Sequence, residues 1–447
     1  MSRNAADGRE APLRLLIVTD SYPPFVGGAD RQIEMIARDM AGRGHMVEVV
    51  TPWQPGLASV ERPVDRLVVR RVRPLLTRIP WFYRDPGRRH HPPFPDPGTT
   101  LAIRRIVRRL RPDVVHTYGW ISYSTALAMV GSQVPLLLSS RDQGHVCAVR
   151  HLVQFGRNDC SGPGPLKCLM CASRTYLADE LGVVKVTPTA TQRIRAVGKA
   201  VVAVAALRVG APLIRASVTR IHVASGYIRD ACERWLIRGR AIPIDVIPSF
   251  LAEDAPSTIE SDVLSLLPAE PFILFVGRIE PQKGIATLIG AWSALASRPP
   301  LVLVGPRSHL SPQTFPEGVH VLPSVTHATV LALWDRAWIG VVPSLGGEAF
   351  GAVAVEAMSR GRAIVASATG GLVDIVEDGR NGLLVPPGDS TALRDAMARL
   401  LADDVLRDTL GAAARERADQ FRAEAILPRF EALYRAAADR GDTAISA

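Results

Sequence analysis

The chain has 447 residues, of which 47% are hydrophobic and 21% are charged, and its net charge is +10. This composition is that of a globular protein, and the length predicts two domains with ample core for each. The charge is uneven, because residues 1–250 hold 36 Lys and Arg against 19 Asp and Glu, whereas residues 251–447 are net acidic. We therefore expect only the first half to meet an anionic partner, such as nucleic acid, acidic lipid or an anionic substrate.

The first half, residues 1–250, reads as a Rossmann-like domain. Apolar runs at 13–19 and 46–51 flank a loop with Gly27-Gly28 and a predicted helix, which is a βαβ unit with a glycine-rich first turn. The fingerprint G-x-G-x-x-G is absent, which argues against an NAD or FAD enzyme. Further strands are predicted at 67–72, 113–116, 134–138, 220–224 and 244–247, and helices at 30–43, 101–110, 178–217 and 226–236.

Two features of this half bear on membranes. The N-terminus lacks the apolar core of a signal peptide, and three basic residues interrupt the most apolar window, 196–218, so a spanning helix is not expected. We expect a cytoplasmic protein. The loop 78–98, rich in Pro, Arg and aromatic residues, and the arginine stripe at 104–111 predict peripheral attachment to anionic lipid on the inner membrane face. A solvated basic face is the alternative for both segments.

Four of the five cysteines, at C-x12-C-x7-C-x2-C spacing, lie in a segment that reads as irregular, 141–172. One C-x2-C with two further thiols meets the ligand count of a structural zinc site. Unliganded, packed cysteines are an equally good interpretation, and a disulfide is less favoured in a reducing compartment. The candidate zinc ligands are Cys147, Cys160, Cys168 and Cys171.

A second α/β domain is predicted over residues 251–420, after a linker that follows Pro248. Alternating strand and helix patterns argue for a second doubly wound sheet. The C-terminal helix, 421–437, is expected to return to the first domain, and 438–447 to form a tail. The strands of this domain are predicted at 272–276, 301–304, 319–322, 339–342 and 363–366.

The run from Val341 to Asp389 carries the strongest chemical pattern. A strand, a glycine-rich turn and a helix from about residue 351 place helix N-terminal amides at the mouth of a parallel sheet, which favours an anion. Glu348 and Glu356 bracket that anion site. The turn lacks the Lys-Ser/Thr of a P-loop, so the cations must come from elsewhere. Arg278 and Lys283, directly after the first strand of this domain, would supply them.

These motifs resemble those of a known family. The segment GRIEPQKG (277–284), the run GGEAFGAVAVEAMSRGRAIVASATGG (346–371) and the early Gly27-Gly28 loop resemble the retaining GT-B glycosyltransferases of family four, also called glycosyl transferases group 1. The resemblance covers roughly residues 12–437. It implies an α/β fold of two Rossmann-like doubly wound domains facing a cleft. It also implies sugar transfer from a nucleoside-diphosphate sugar with retention and no obligatory metal.

The resemblance also implies roles for individual residues. Glu348 would hold the hydroxyls of the donor sugar, and Glu356 those of the ribose. Arg278 and Lys283 would bind the diphosphate. The resemblance implies front-face displacement, in which the leaving phosphate helps to deprotonate the acceptor, so no dedicated nucleophile is sought. Glu348, Arg278 and Lys283 are therefore the catalytic candidates.

Backbone groups complete the donor site that the resemblance implies. The amides of Ala349, Phe350 and Gly351 would contribute to phosphate binding. Gly27 and Gly28 would approach the phosphates from the first domain, because only glycine allows the backbone so close.

The chain departs from the family pattern on its acceptor side. Family members often carry a His-Asp pair after the strand that here ends in Ser-Ser, but this chain has Arg141-Asp142. The usual histidine is thus absent or replaced by His145 nearby, and Arg141 and His145 are the acceptor-side candidates. The usual asparagine after the last strand of the first domain is Ser249, and the early GGAER motif carries Asp30.

We expect a glycosyltransferase whose acceptor is unknown, either a lipid-linked compound or a cell-surface glycan precursor. The alternatives are a GT-B sugar-nucleotide epimerase or phosphorylase, and a non-catalytic nucleotide-sugar-binding protein. Nucleic-acid binding ranks last, because the basic half lacks a helix-turn-helix, finger or aromatic RNA-binding signature. The sequence does not reveal the base, the sugar or the oligomeric state.

Overall fold

The structure, a computed structural model, describes residues 11–24, 28–76, 91–155, 158–181, 187–251, 257–307 and 310–439. Each half of the chain forms a mostly parallel sheet with helices on both faces. The predicted fold class, two doubly wound α/β domains, is confirmed. The strands of both sheets are continuous apolar runs in the sequence, because helices cover both faces of each sheet and the side chains on both faces are buried.

The described part of the first half contains ten strands: β1 (Arg14–Val18), β2 (Met46–Pro52), β3 (Val60–Val64), β4 (Leu67–Val72), β5 (Val114–Tyr118), β6 (Leu136–Ser140), β7 (Val153–Gln154), β8 (Asn158–Asp159), β9 (Arg220–Val223) and β10 (Ile244–Val246). Eight of them form one sheet in the order β10-β9-β6-β5-β1-β2-β4-β3, in which only β3 is antiparallel to its neighbour. The remaining two, β7 and β8, form a small hairpin. The order reverses beside β1, so the loops after β1 and β5 open at the switch point where such sheets bind ligands.

Among the residues that the structure describes in the second half are six parallel strands: β11 (Phe272–Val276), β12 (Leu301–Val304), β13 (Val319–Leu322), β14 (Ala337–Val342), β15 (Ala363–Ser367) and β16 (Leu383–Val385). Their order is β13-β12-β11-β14-β15-β16. The chain order reverses between β11 and β14, so the loops after these two strands flank the switch point of this sheet.

Fourteen α-helices occur among the described residues: α1 (Gly28–Gly42), α2 (Pro97–Leu110), α3 (Ile121–Met129), α4 (Pro165–Leu181), α5 (Ala190–Ser217), α6 (Gly226–Ala231), α7 (Ser261–Leu264), α8 (Ile285–Ser293), α9 (His327–Arg336), α10 (Ala352–Ser359), α11 (Leu372–Ile375), α12 (Ser390–Ala402), α13 (Asp404–Asp419) and α14 (Ala423–Ala438). The helix predicted over 178–217 is wrong as a single element. It is two helices, because Thr189 forms a capping box with Gln192 and begins α5 at Ala190. The segment predicted as irregular, 141–172, also contains the first eight residues of α4.

The C-terminal helix α14 packs on the first domain, not the second. Its apolar face lies in one core cluster with α1 and the first sheet, where Phe430 and Tyr434 join Ile33 and Met40. The Tyr434 hydroxyl is 2.8 Å from Nδ1 of His116 on β5. The two ends of the described chain therefore build one domain together.

Helix α5 differs from the other helices in composition and surroundings. Among the described helices, α5 is the only one that is long and apolar enough to cross a membrane, judged by length and composition alone. It packs against α3 and α4 on the face of the first sheet that also carries α2. Residues 78–90 of the predicted basic loop lie outside the described residues. In the arginine stripe, Arg109 is bound to Glu48, with 2.6 Å between Nη2 and Oε2.

Buried histidines in the first domain predict a loss of stability in mild acid. Burial lowers the pKa of His91 and His145 to about 4 and that of His222 to about 3. These side chains take up protons on unfolding, so the free energy of unfolding should fall as the pH drops below about 6.5. Each contributes at most about 1.4 kcal/mol per pH unit. Burial raises the pKa of Asp20 and Glu356 to about 7, which partly opposes this trend.

Urea unfolding at intervals between pH 7.5 and 4.5 would check this expectation, with proton uptake on unfolding as the second readout. We expect a net uptake of about one proton near pH 5.5 and a midpoint that moves to lower urea once the pH is below about 6.5. A constant midpoint over this range would contradict the prediction.

Candidate functional site

The candidate donor site lies where two neighbouring strands of the second sheet end. After β11 the chain runs through Arg278 and Lys283 to Gly284, which precedes α8. After β14 it runs through the turn 343–351 into α10. Because β11 and β14 are parallel neighbours, their carboxyl ends bring these two loops together.

The two loops meet through an ion pair between Lys283 and Glu348. Lys283 Nζ donates to Oε1 of Glu348, which also accepts from the Ser344 hydroxyl at 2.7 Å. Burial alone would raise the pKa of Glu348, but the charge and hydrogen bonds of Lys283 and Ser344 hold it below its ordinary value. Glu348 is therefore an ionised acceptor at neutral pH, and its remaining lone pairs suit hydroxyl donors.

Glycine is required where these loops touch. Gly284 adopts a positive φ of 72°, and a Cβ there would overlap the carbonyl oxygen of Pro343. Gly347 has a φ of 73°, and a Cβ there would overlap the carbonyl oxygen of His151 from the first domain. The first glycine brings the two donor loops into contact, and the second brings the donor loop against the other domain.

The start of helix α10 offers free backbone donors. Helix α10 begins at Ala352, after Gly351 in the left-handed region. Within the described part of the chain, the N–H groups of Ala349, Phe350 and Gly351 donate no hydrogen bond. Together with the first turn of the helix they form a set of donors with the positive end of the helix dipole behind them. Such a set suits a phosphate.

Glu356 lies on α10 in a mostly buried position. Burial raises its pKa to about 7, and the positive charge of Arg31 partly opposes that shift. His327 at the start of α9 is 3.8 Å away, from Nδ1 to Oε1 of Glu356. Arg31 belongs to the first turn of α1, so Glu356 faces the start of that helix in the other domain.

Arg278 is placed apart from the Lys283–Glu348 pair. Its Nε is 2.7 Å from Oε1 of Glu280, and its side chain is 67% exposed. Of the two predicted cations, Lys283 is therefore held at the centre of the site and Arg278 at its open edge. On the other domain, Gly27 lies outside the described residues, and Gly28 is the first residue of α1.

Direct hydrogen bonds join the two domains across the cleft. The Gln143 amide donates to the carbonyl oxygen of Gly347 at 2.9 Å. The Ser225 hydroxyl donates to the carbonyl oxygen of Ala349. The backbone N–H of Gly226 donates to Asp374 at 2.7 Å. Two of these bonds end on the donor turn itself, so the position of that turn is tied to the closure of the domains.

On the acceptor side, Arg141 and Ser249, the two residues that depart from the family pattern at the ends of strands, contact each other. Arg141 donates to the Ser249 hydroxyl at 3.1 Å and to the side-chain oxygen of Gln32. The Gln32 amide in turn donates to the carbonyl oxygen of Phe250 at 2.7 Å. Arg141 also lines a cavity at the ends of β1, β5 and β6. Position 141 thus presents a fixed cation to this cavity.

His145 lines the same cavity but is held in the domain core. Its Nε2 is 2.9 Å from the Ser122 hydroxyl, and its Nδ1 is 3.3 Å from the Ser140 hydroxyl. The side chain is buried, and burial lowers its pKa to about 4, so the ring is neutral. The structure thus gives His145 a structural set of partners and leaves Arg141 as the more accessible acceptor-side candidate.

The sequence-based reasoning missed His151, which lies at the donor turn. Its Nδ1 accepts from the Val153 N–H at 3.2 Å, which assigns the ring proton to Nε2. Burial and the charge of Lys283 lower its pKa to about 4. No spacing signal marks His151, because a long connection brings it to the cleft. Arg31 could have been found, since it follows the Gly27-Gly28 loop in the first turn of a helix.

The four cysteines of the zinc hypothesis line one small cavity, between α4 and the segment before it. All five cysteines are free thiols, so the disulfide interpretation has no support here. Among the residues that the structure describes, no three His, Cys, Asp or Glu side chains form a group that could hold a metal ion. Zinc binding stays a prediction. Metal analysis of purified protein showing no stoichiometric zinc would remove it.

Comparison with protein families gives two matches. The model described as Glycosyltransferase Family 4 matches residues 26–157. The model described as Glycosyl transferases group 1 matches residues 270–403. Together they match more than half of the chain, and the second includes the whole Lys283–Glu348 site.

Two curated relatives illustrate the sequence similarity. A phosphatidyl-myo-inositol mannosyltransferase of Mycolicibacterium smegmatis is 34% identical over 203 residues, which are 43% of this chain and 52% of that protein. The chain thus spans about half the length of this relative. A D-inositol 3-phosphate glycosyltransferase of Xylanimonas cellulosilytica is 28% identical over 330 residues, covering 69% of this chain and 68% of that one.

Solved structures share the fold over nearly the whole chain. Sucrose-phosphate synthase from Thermosynechococcus elongatus superposes with a TM-score of 0.62 at 22% identity, covering 94% of this chain and 98% of that one. Anabaena HepE, in complex with UDP and glucose, gives a TM-score of 0.61 at 18% identity, covering 95% and 100%. At these identities the likeness establishes the arrangement of the two domains.

Proposed function

The chain belongs to the glycosyltransferases of family four and group 1, and from this membership we propose that it transfers a sugar from a nucleoside-diphosphate sugar to an acceptor with retention. The observation that carries the proposal is the ion pair of Lys283 with Glu348 beside the free amides of Ala349–Gly351. An ionised carboxylate next to a phosphate-binding helix start suits a ligand that is both a diphosphate and rich in hydroxyls.

In the proposed reaction Glu348 accepts hydrogen bonds from the hydroxyls of the donor sugar. Lys283, with the amides at the start of α10, neutralises charge on the diphosphate as it leaves. Arg278 at the open edge would contact the same diphosphate, and Glu356 would accept from the ribose hydroxyls. Gly27 and Gly28 would approach the phosphates from the first domain.

The proposed chemical step is a front-face displacement. The bond from the anomeric carbon to the leaving phosphate oxygen breaks, and a bond to the acceptor oxygen forms on the same face of the sugar. The acceptor proton passes to the leaving phosphate, so the nucleoside diphosphate departs with that proton and no protein nucleophile is used. The role of the protein is to position the two substrates and to stabilise the developing negative charge.

We propose that the acceptor is a lipid-linked compound or a precursor of a cell-surface glycan, and that it binds to the first domain. The cavity lined by Arg141 opens at the switch point of that sheet, which suits an acceptor carrying an anionic group. The name of the mannosyltransferase from Mycolicibacterium smegmatis, which refers to a phosphatidylinositol, is compatible with such an acceptor.

The test is nucleotide release from UDP- and GDP-sugars, measured with and without a lipid extract. We expect release that depends on the extract, and a product whose anomeric configuration matches that of the donor when read by NMR. Turnover without any acceptor would favour an epimerase or phosphorylase. Nucleotide-sugar binding in calorimetry without turnover would favour a binding protein. An inverted product would rule out retention.

A further inference from the structure

Helix α5 buries its small residues and exposes its large ones. The exposed large side chains follow one stripe at helical spacing, which we call the outer face of α5: Ile194, Val197, Val201 and Val209. The opposite stripe is buried and is almost entirely small: Ala196, Ala200, Ala203, Ala206, Gly210 and Ile214. A helix on a water-soluble domain normally shows the reverse arrangement, with large apolar residues inward and polar residues outward.

The small inner stripe allows close contact with neighbouring helices. A Cβ at Gly210 would overlap the ring of Tyr123 on α3. On the side of α4, Ala200 and Ala203 pack with Ala148 and Ala172 in a cluster of small side chains. Small residues at helix–helix contacts with large aliphatic residues outside are typical of helices that face lipid. The inner stripe also holds α5 within the domain, so the helix lies along its surface.

The neighbouring helices extend this apolar surface. Leu166 and Met170 of α4 are 68% and 55% exposed. Leu127 of α3 and Leu101 of α2 are exposed as well, and α2, α3 and α5 cover the same side of the first sheet. The surface is therefore broader than one helix.

The charges around the outer face select its partner. Residues 190–217 contain no Asp or Glu but five basic residues: Arg193, Arg195, Lys199, Arg208 and Arg215. Three of them, Arg193, Arg195 and Arg208, are exposed, and so are Arg104, Arg105 and Arg108 on α2. A second copy of the chain is disfavoured, because a symmetric contact through this face would bring like charges together.

We propose that the outer face of α5 docks on an anionic lipid surface. The aliphatic side chains lie at the boundary between headgroups and acyl chains, and the exposed arginines contact acidic headgroups. At about 1.5 Å per residue the outer face, from Ile194 to Val209, offers a contact roughly 24 Å long. The sequence predicts attachment to anionic lipid through the loop 78–98 and the arginine stripe at 104–111. The proposal instead centres this attachment on α5. Docking does not depend on the proposed sugar transfer.

The test is flotation with phosphatidylcholine vesicles, with and without phosphatidylglycerol. The wild-type chain should bind the vesicles that contain phosphatidylglycerol. The triple variant Val197→Ser, Val201→Ser, Val209→Ser should bind them about tenfold more weakly or worse. Its control is Leu264→Ser, Leu266→Ser, Val405→Ser on the second domain. The control residues are 52%, 52% and 77% exposed, against 46%, 48% and 76% on α5, and that variant should bind as the wild type does.

A second variant isolates the electrostatic part. Arg193→Gln, Arg195→Gln, Arg208→Gln should lose about fivefold in affinity for each arginine and most of the preference for phosphatidylglycerol. Circular dichroism and calorimetric binding of UDP and GDP, measured for every variant, separate a loss of docking from misfolding and from failure of the proposed function. The proposal would be overturned if the wild-type protein did not bind the vesicles that contain phosphatidylglycerol. It would also be overturned if the α5 serine variant bound them as tightly as the wild type does. A dimer in light scattering that the α5 serine variant abolishes would identify the face as a contact between copies.

Discussion

Replacing Glu348 with glutamine is expected to lower kcat/KM for sugar transfer by about a hundredfold or more. Glutamine keeps the shape of the side chain but removes the charge that pairs with Lys283 and the second strong acceptor. An amide can accept donor hydroxyls through one oxygen only, and its N–H2 group would face Lys283. If Glu348 binds the donor sugar more tightly in the transition state than in the ground state, the substitution should lower kcat as well as kcat/KM.

The measurement is initial rate against donor concentration, with urea unfolding of the same preparation to separate activity from stability. Glu416→Gln, on the exposed surface of α13, is the matched control and should transfer sugar at the wild-type rate. A Glu348→Gln enzyme with unchanged kcat/KM would remove Glu348 from the site. A change confined to the KM for the donor would reduce its role to binding.

Replacing Gly284 with alanine is expected to lower the free energy of unfolding by about 3 kcal/mol and to impair transfer. The backbone there has a φ of 72°, and the added methyl group would overlap the carbonyl oxygen of Pro343. The strand-end loop of Lys283 and the turn that carries Glu348 would have to separate. Because those two residues form the centre of the site, the substitution should reduce activity even in molecules that stay folded.

Gly290→Ala is a sharp control for this substitution, because it adds the same methyl group six residues later. Gly290 is exposed on α8, and a Cβ there comes no nearer than 4.0 Å to Ser390. In a helix interior alanine is favoured over glycine, so this variant should gain up to about 1 kcal/mol. Equal effects of the two substitutions on the urea midpoint would show that the close contact at Gly284 is not rigid.

The fold was largely predictable because parallel strands buried on both faces are continuous apolar runs. The apolar runs that begin at Leu13, Met46 and Phe272 correspond to β1, β2 and β11, with bounds close to the predicted ones. Helix α3 was not predicted, because its serines and threonines hide the apolar pattern and it is buried on nearly all sides. The break between α4 and α5 was missed because both helices are apolar enough to read as one.

The candidate site was predictable only where its parts are local in sequence. Lys283 and Glu348 stand in separate short motifs, each directly after a strand, so sheet topology brings them together. The approach of His151 and Gln143 to the donor turn depends on a long segment between β6 and β9. No local pattern encodes such a contact. The meeting of Arg141 with Ser249 has the same origin, since more than a hundred residues separate them.

The packing of α14 on the first domain has a consequence for how the chain is made. The core around Ile33 and Met40 is complete only when Phe430 and Tyr434 have joined it. A ribosome that adds 5–20 residues per second needs roughly 10 to 40 s to pass from the end of the first domain to α14. During that time an apolar side of the nascent sheet stays uncovered. We therefore expect the domain synthesised first to finish folding last, with the greatest demand for chaperones while the second half is being translated.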